Sequence, residues 1–465
     1  MIDLNYLKKF IMCLNNKIDT NEESVYLVGG YVRDKLIKSS MDPKDADFIY
    51  DGDIKGLIEY LNSSGYQFMP IKESRETYRC MLNGNCIDIT KMQGKTIVED
   101  LSKRDFTANA ICLEVGKNKI IDPFEGRKAI KNRIIKAVSS DSIKKDPIRI
   151  LRGIRLYISY GMHFNLDTEN MIKKYAFKLK EVAGEKIFSE LMLILENDKD
   201  GRAFDILNTF SVLNFLIPYV EELKTMGKCK YHQEDVFTHA NLTYMAFKDI
   251  LSHRITIKNL DNNIFNYKIG DFTLREYTSI ACFLHDIGKY EAYKKEGNKV
   301  SFAGHEKNGR IICEKLCNRL RFPKKASKFI EDIVSAHMYP LIFFKNGFEN
   351  SKHMIYDFFY KYGELSRYII VVAFCDNYAT RMLSYENSEK RRFKVFIEKM
   401  LEEYDIYSNL KNNQLVDGNY IVDVLGFRGV IIGNIMYNID KLRYLKKLKT
   451  RQDVIDYINK LKKLR

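Results

Sequence analysis

The chain has 465 residues, 45% of them hydrophobic, with 76 Lys+Arg against 61 Asp+Glu and a formal charge of +15. That apolar content excludes a globally disordered chain, the length excludes a single small domain, and the basic surplus favours polyanionic partners such as nucleic acid. Nine cysteines at scattered positions offer no disulfide or zinc framework and fit reduced thiols in a cytosolic protein.

The N-terminal stretch MIDLNYLKKFIMCLNNK is amphipathic and lacks an apolar signal core. Short β-rich and helical runs then alternate up to about residue 140. VYLV (25–28) and ADFIY (46–50) read as strands, with the glycine turn of VGGYVRD between them opening a helix. TYRCML and CIDIT, joined at Asn83-Gly84, form one hairpin, and AICLEV with KIID forms a second.

Beyond about residue 145 the pattern turns helical. DPIRILRGIRLYISY predicts a helix with Asp146 as N-cap and Pro147 as its first residue. The polar stretch 251–273 reads as a loop. The longest apolar run, YIIVVAF (368–374), is too short to span a bilayer. A soluble, cytoplasmic protein without membrane association is the expectation, and the oligomeric state is left open.

Side chains two apart on a strand share a face, so Asp45 and Asp47 present their carboxylates together. Like charges so placed call for a cation, and Mg²⁺ prefers a few carboxylates plus phosphate oxygens. Gly29 and Gly30 let backbone approach a triphosphate, and the helix they open offers N–H groups to it. Arg33 is a candidate phosphate fork, and Asp88, on the CIDIT strand, a candidate third metal ligand.

In this order the motifs resemble the DNA polymerase β superfamily of nucleotidyltransferases, in particular bacterial-type CCA-adding tRNA nucleotidyltransferases and their poly(A) polymerase relatives. GGYVRD, DAD, KRDFTANAI (103–111), IIDPFEGRKAIKNRIIKAV (120–138) and DPIRILRGIR (146–155) carry the likeness, and LVDGNYIVDVLGFRGVIIGNIM (415–436) looks like the family's tail. The resemblance implies an α+β polymerase-β-like head, a small mixed sheet plus helices, followed by a mostly helical body. It implies that Asp146 and Arg149, on one helix face, read the base edge of ATP or CTP. Arg152 and Arg155 continue that face toward triphosphate or RNA backbone, and Arg104, Asp105 and Asn109 contact ribose and phosphate. The tRNA acceptor arm would be clamped by shape along lysine–aromatic stretches such as 171–180 and 441–452.

This sequence departs from the family at Lys145, where Glu is usual, and at Lys103, where Arg is common. Only ITKMQGKTIVEDLSK separates Asp88 from Arg104. Many complete CCA-adding members carry a longer flexible segment there, linked to the switch from C to A addition, so an enzyme adding only CC or only A is an alternative. A poly(A) polymerase, a hydrolase whose head only senses nucleotide, and a non-catalytic RNA-binding module are others.

His239, the His285-Asp286 pair, His305, His337 and Asp376 follow in order. Imidazoles with carboxylates suit a divalent transition metal that activates water against phosphate esters. The set looks like an HD phosphohydrolase domain, with His305 and His337 the less secure ligands. The expected division is head 1–140, neck 141–230, HD domain 231–385 and helical tail 386–465.

Overall fold

The structure, a computed structural model, describes residues 7–18, 22–37, 45–82, 84–226, 234–296, 299–380, 387–426 and 429–463. Asn83 of the predicted turn and the 38–44 connection lie outside them. Contacts divide the chain into two compact units, Met1–Asn197 with Ile206–Leu216, and Asp198–Asp205 with Ile217–Arg465.

The first unit is built on seven strands: β1 (Ser24–Val28), β2 (Asp45–Asp51), β3 (Met69–Lys72), β4 (Thr77–Leu82), β5 (Asn85–Lys91), β6 (Cys112–Glu114) and β7 (Lys119–Ile121). Their order is β3-β4-β5-β2-β1-β6-β7. Both predicted hairpins form, β4 with β5 and β6 with β7, and β2 runs parallel to β5. The edge strand β3, with four exposed residues and a proline, gave no alternating signal in the sequence.

Alternation sorts β2 between two apolar layers. Ala46, Phe48 and Tyr50 join one core with Phe10, Leu57 and Leu61, from helices α1 (Lys8–Lys17) and α2 (Ile54–Ser63). Ile49 faces the other way and packs with Tyr26, Val28, Ile97 and Leu101. Each such fully buried side chain contributes roughly 1.5–3 kcal/mol. Asp45 and Asp47 share the Ile49 face by the period of two and are exposed, so the sheet's two cores hold the acids outward.

The helix Arg149–Tyr160 begins later than predicted. Asp146 closes the preceding helix Ser142–Lys145 instead of capping the next one. Its carbonyl accepts from Arg149 N in a tight turn that contains Pro147.

The second unit is helical. Its helices include Val236–Leu251, Leu274–Leu284, His305–Arg319, Lys324–Ala336 and Leu365–Thr380. Asp235 caps the first through Thr238 N, and a Thr273–Glu276 capping box starts the second. The stretch read as a loop, 251–273, holds a short 3₁₀ turn and a two-residue hairpin. The helices Gly418–Leu425, Val430–Tyr444 and Arg451–Lys463 share a small core of their own around Ile421, Ile439 and Ile458. Among the described residues, no single helix is long and apolar enough to cross a membrane.

Candidate functional sites

In the first unit, Asp47 stands directly beside Asp88 in the β2–β5 register, and Val28, the residue before Gly29, pairs with Asp47 across β1–β2. Gly29 has φ +73°, and a Cβ placed there would lie 2.8 Å from Arg104 Nη1 and 3.6 Å from Asp47 Oδ2. The glycine turn therefore closes directly over an acid and a guanidinium, as a side chain at that position would not allow. Asp45 and Asp47 share a face by the strand period, Asp47 lies beside Gly29, and Asp88 adjoins Asp47.

Enclosure by protein lifts the Asp47 carboxyl above its ordinary value, although part of it still reaches solvent; Arg104 pulls it down, and Asp88 and Asp45 push it up. Arg104 Nε is buried without a hydrogen-bond partner. Clustered, incompletely neutralised carboxylates of this kind fit hard divalent cations. Asp88 is the better neutralised of the set. Arg79, which the sequence reading missed, donates from Nε and Nη2 to its two oxygens, each at 2.8 Å. The period of two from Met81 and Cys86 across the hairpin was the available signal.

Several expected nucleotide contacts bond one another instead. Arg33 is buried, and its three nitrogens donate to Asp34 Oδ1 at 2.8 Å, Asn109 Oδ1 at 2.7 Å and the Tyr160 hydroxyl at 2.9 Å. Asn109 Nδ2 in turn donates to Asp105 Oδ1 at 2.9 Å. This chain ties the glycine helix to the 105–109 segment and to the end of the 149–160 helix. Arg33 thus departs from the expected phosphate fork because a buried guanidinium needs fixed partners.

The neck arginines differ from expectation in the same way. Arg149 donates from Nη1 to Arg104 O and Ser142 Oγ and from Nη2 to Lys103 O, which leaves one Nη2 hydrogen and a buried Nε 3.6 Å from Asp146. Arg152 and Arg155 share buried Glu190, at 3.2 and 2.9 Å. Two arginines on one carboxylate retain about one net positive charge, less than an open basic face would carry.

The second unit collects His239, His285, Asp286, His305, His337 and Asp376 into one cluster, including the two histidines expected to be less secure. His285 and His337 end helices, and His305 begins one. Their Nδ1 atoms lie 2.8, 2.7 and 3.0 Å from the carbonyls of Cys282, Val334 and Phe302. A carbonyl only accepts, so each Nδ1 carries a proton and each Nε2 turns inward, offering a lone pair whenever its ring is neutral.

His239 Nε2 lies 2.9 Å from Asp376 Oδ1, and its Nδ1 lies 3.4 Å from buried Glu234, a carboxylate that the sequence reading missed. The two oxygens of Asp286 serve different histidines. Oδ2 lies 3.2 Å from His285 Nε2, while Oδ1 lies 3.3 Å from His305 Nε2 and 3.8 Å from His337 Nε2. His305 and His337 Nε2 approach to 3.3 Å. Two inward lone pairs at that distance repel unless a proton or cation lies by them, so the donor set fits divalent metal.

Burial disfavours charge throughout the cluster. His337 is pushed down to about 3, chiefly by that burial and then by His285. Against burial, Lys289 and His285 hold Asp286 well below its ordinary value, and Asp286 holds His285 well above its own. Lys289, three residues after Asp286 in HDIGK, is a second group that sequence reasoning passed over. Gly288 is a third: a Cβ there would lie 2.0 Å from His305 O and 2.3 Å from Gly309 N. Only glycine lets the backbone carrying His305 approach the His-Asp turn.

Comparisons with known proteins match this layout. The poly A polymerase head domain matches residues 25–136, a probable RNA- and SrmB-binding site of polymerase A matches 161–224, and the HD domain matches 263–381. The A-adding tRNA nucleotidyltransferase of Deinococcus radiodurans is 27% identical over 324 residues, 68% of this chain and 69% of that protein. The CC-adding tRNA nucleotidyltransferase of Geobacter sulfurreducens is 33% identical over 174 residues, 37% of this chain and 40% of that protein. Among solved structures, a CCA-adding enzyme with ATP aligns at TM-score 0.68 and 20% identity, covering 100% of this chain and 97% of its own. The Thermotoga maritima CCA-adding enzyme complexed with tRNA aligns at 0.65 and 20%, with the same coverage. At that identity the structural likeness speaks for the fold.

Proposed function

We infer the activity of this chain from one premise: it belongs to the nucleotidyltransferase family that joins a poly(A) polymerase head, an RNA-binding neck and an HD domain. It is a tRNA nucleotidyltransferase that extends tRNA 3′ ends from CTP and ATP, as its relatives' names describe for them. The expected division into head 1–140, neck 141–230, HD domain 231–385 and tail 386–465 is part of the proposal.

The observation that carries the chemistry is the meeting of Asp47, Asp88, Arg104 and the Gly29 turn. Asp45 and Asp47 would hold Mg²⁺, with Asp88 available as a third ligand once its fork with Arg79 opens. Bound there, such ions supply charge that favours hydroxyl deprotonation and pyrophosphate departure. The tRNA 3′-hydroxyl oxygen bonds the α-phosphorus, and the bond to the pyrophosphate oxygen breaks. The bare backbone at Gly29 and Gly30 admits the triphosphate, and Arg104 offers guanidinium donors beside it. Asp146 and the remaining Nη2 hydrogen of Arg149 read the base. Arg33, Asn109 and Asp105 position the glycine helix without touching nucleotide.

A narrower reading, addition of CC only or A only, is favoured by one feature. The connection after Asp88 is folded short: Lys95 N donates to Glu99 Oε2, Gln93 N to Asp100 Oδ1, and Lys103 Nζ to Gln93 O. The experiment supplies tRNAs ending at each 3′ stage with CTP or ATP alone and reads product length. A CCA enzyme adds the missing C residues with CTP and the terminal A to tRNA ending in CC with ATP, then stops, and a partial enzyme does only one of the two. Long A tracts would indicate a poly(A) polymerase, and no extension of any tRNA would overturn the assignment.

The HD cluster supports a second activity, metal-dependent hydrolysis of small phosphoesters, cyclic phosphates at RNA ends included. Its basis is the inward set of imidazole Nε2 atoms around Asp286. Hydrolysis of a 2′,3′-cyclic nucleotide after loading with Mn²⁺, Ni²⁺ or Mg²⁺ tests it, and inactivity with every metal would refute it.

A further inference from the structure

Away from both clusters, the second unit has a cavity of about 470 Å³ between the helices Phe348–Tyr362, Asn387–Asn412 and Val430–Tyr444. That is room for a nucleoside-sized ligand. Tyr356, Tyr360, Tyr407 and Tyr437 line it. Tyr360 meets Tyr437 edge-on with centroids 4.7 Å apart, and Tyr356 meets Tyr407 edge-on at 5.6 Å.

The hydroxyls of Tyr356 and Tyr437 have partners, Tyr437 O and Asp357 respectively. The Tyr407 side chain is 4% exposed, and its hydroxyl is buried without any hydrogen-bond partner. Tyr360 is the opposite case, a ring 52% exposed beside the opening. Asp440, Lys411 and Gln414 complete the polar lining, and the basic run KLRYLKKLKTRQ follows directly at 441–452.

We propose that this tyrosine-walled cavity seats one unstacked nucleobase of the bound RNA, its phosphates lying on the neighbouring lysines. Aromatic faces stack bases regardless of sequence, and lysines track the backbone. Asp440 accepts from an exocyclic amino group, so adenine, guanine or cytosine fits better than uracil. The inference rests on the tRNA reading above and adds to it a site that neither the head nor the HD cluster contains.

Gly433 allows a clean test. It lies in a helix, and a Cβ built on it meets nothing within 4 Å. Gly433→Trp fills the cavity, and removing glycine from a helix interior does not weaken the fold. The affinity of the full-length chain for a tRNA transcript lacking CCA is measured for the wild type and for Gly433→Trp. A panel of the same tRNA with single abasic sites at unpaired positions is measured alongside.

The expected result is a loss of about tenfold for Gly433→Trp with an unchanged thermal midpoint. One abasic position should cost the wild type a similar factor and cost Gly433→Trp nothing more. Equal affinities of wild type and variant overturn the pocket and leave the transferase reading standing, as does an abasic panel without any sensitive position. A wild-type chain that neither binds nor extends tRNA overturns the transferase reading and the pocket together.

Discussion

The head and the HD cluster gather acidic groups in opposite ways. Asp45 and Asp47 stand exposed on a strand whose core residues point elsewhere, and their alignment needs only the β period. His239, His285, Asp286 and His337 are buried, and helix ends, backbone carbonyls and one glycine contact orient them. An open strand site suits cations that arrive with a substrate and leave with its product. A closed, pre-oriented nest of imidazoles suits ions that stay.

The contrast breaks most sharply at Asp47. Asp47→Asn should lower nucleotide incorporation roughly a thousandfold, about 4 kcal/mol of barrier, while the thermal midpoint and any cyclic phosphate hydrolysis stay as they were. Incorporation within tenfold of wild type would show that the β2 carboxylates are not the metal-holding pair.

Gly288→Ala is the counterpart in the closed site. A methyl driven against His305 O and Gly309 N should destabilise the chain by about 3 kcal/mol. Transition metal retained after dialysis should fall, as read by elemental analysis. Normal metal content in this variant would mean that the His-Asp turn has slack that its contacts deny.

Arg33→Ala probes whether the head also depends on buried buttressing. Removing the guanidinium strands Asp34 and Asn109, at a cost of about 2–3 kcal/mol in chemical denaturation. Arg33→Lys, which keeps the charge but cannot reach three partners, should recover less than half. If Arg33→Ala instead raises KM for nucleotide with stability unchanged, Arg33 contacts phosphate after all.

The smallest effect belongs to Arg79→Ala. Freed from its forked partner, Asp88 should bind cation more readily and lower the Mg²⁺ concentration for half-maximal activity a few-fold. A higher Mg²⁺ requirement would show that Arg79 organises the acids and does not compete for them.

Much of this was legible in the residue order. The period of two placed Asp45 with Asp47, hairpin signals placed Asp88 on a strand, and HDIGK with its flanking histidines marked the second cluster. Arg33, Arg149, Arg152 and Arg155 were less legible, because a long cationic side chain looks the same in sequence whether it meets a ligand or an internal acid. Glu190 and Tyr160 decide that question from helices or helix ends remote in sequence.

Local periodicity determined an α+β head and a helical body, since strand and helix spacing depend only on neighbours along the chain, and ordered motifs with the family resemblance marked the two acid-centred sites. Tertiary structure alone decided which donors remain for a ligand. It set Arg79 on Asp88, split Asp286 between two sets of histidines, and closed tyrosines from three helices around a cavity. Hydrogen bonds and burial are settled between segments far apart in sequence, where no local pattern records them.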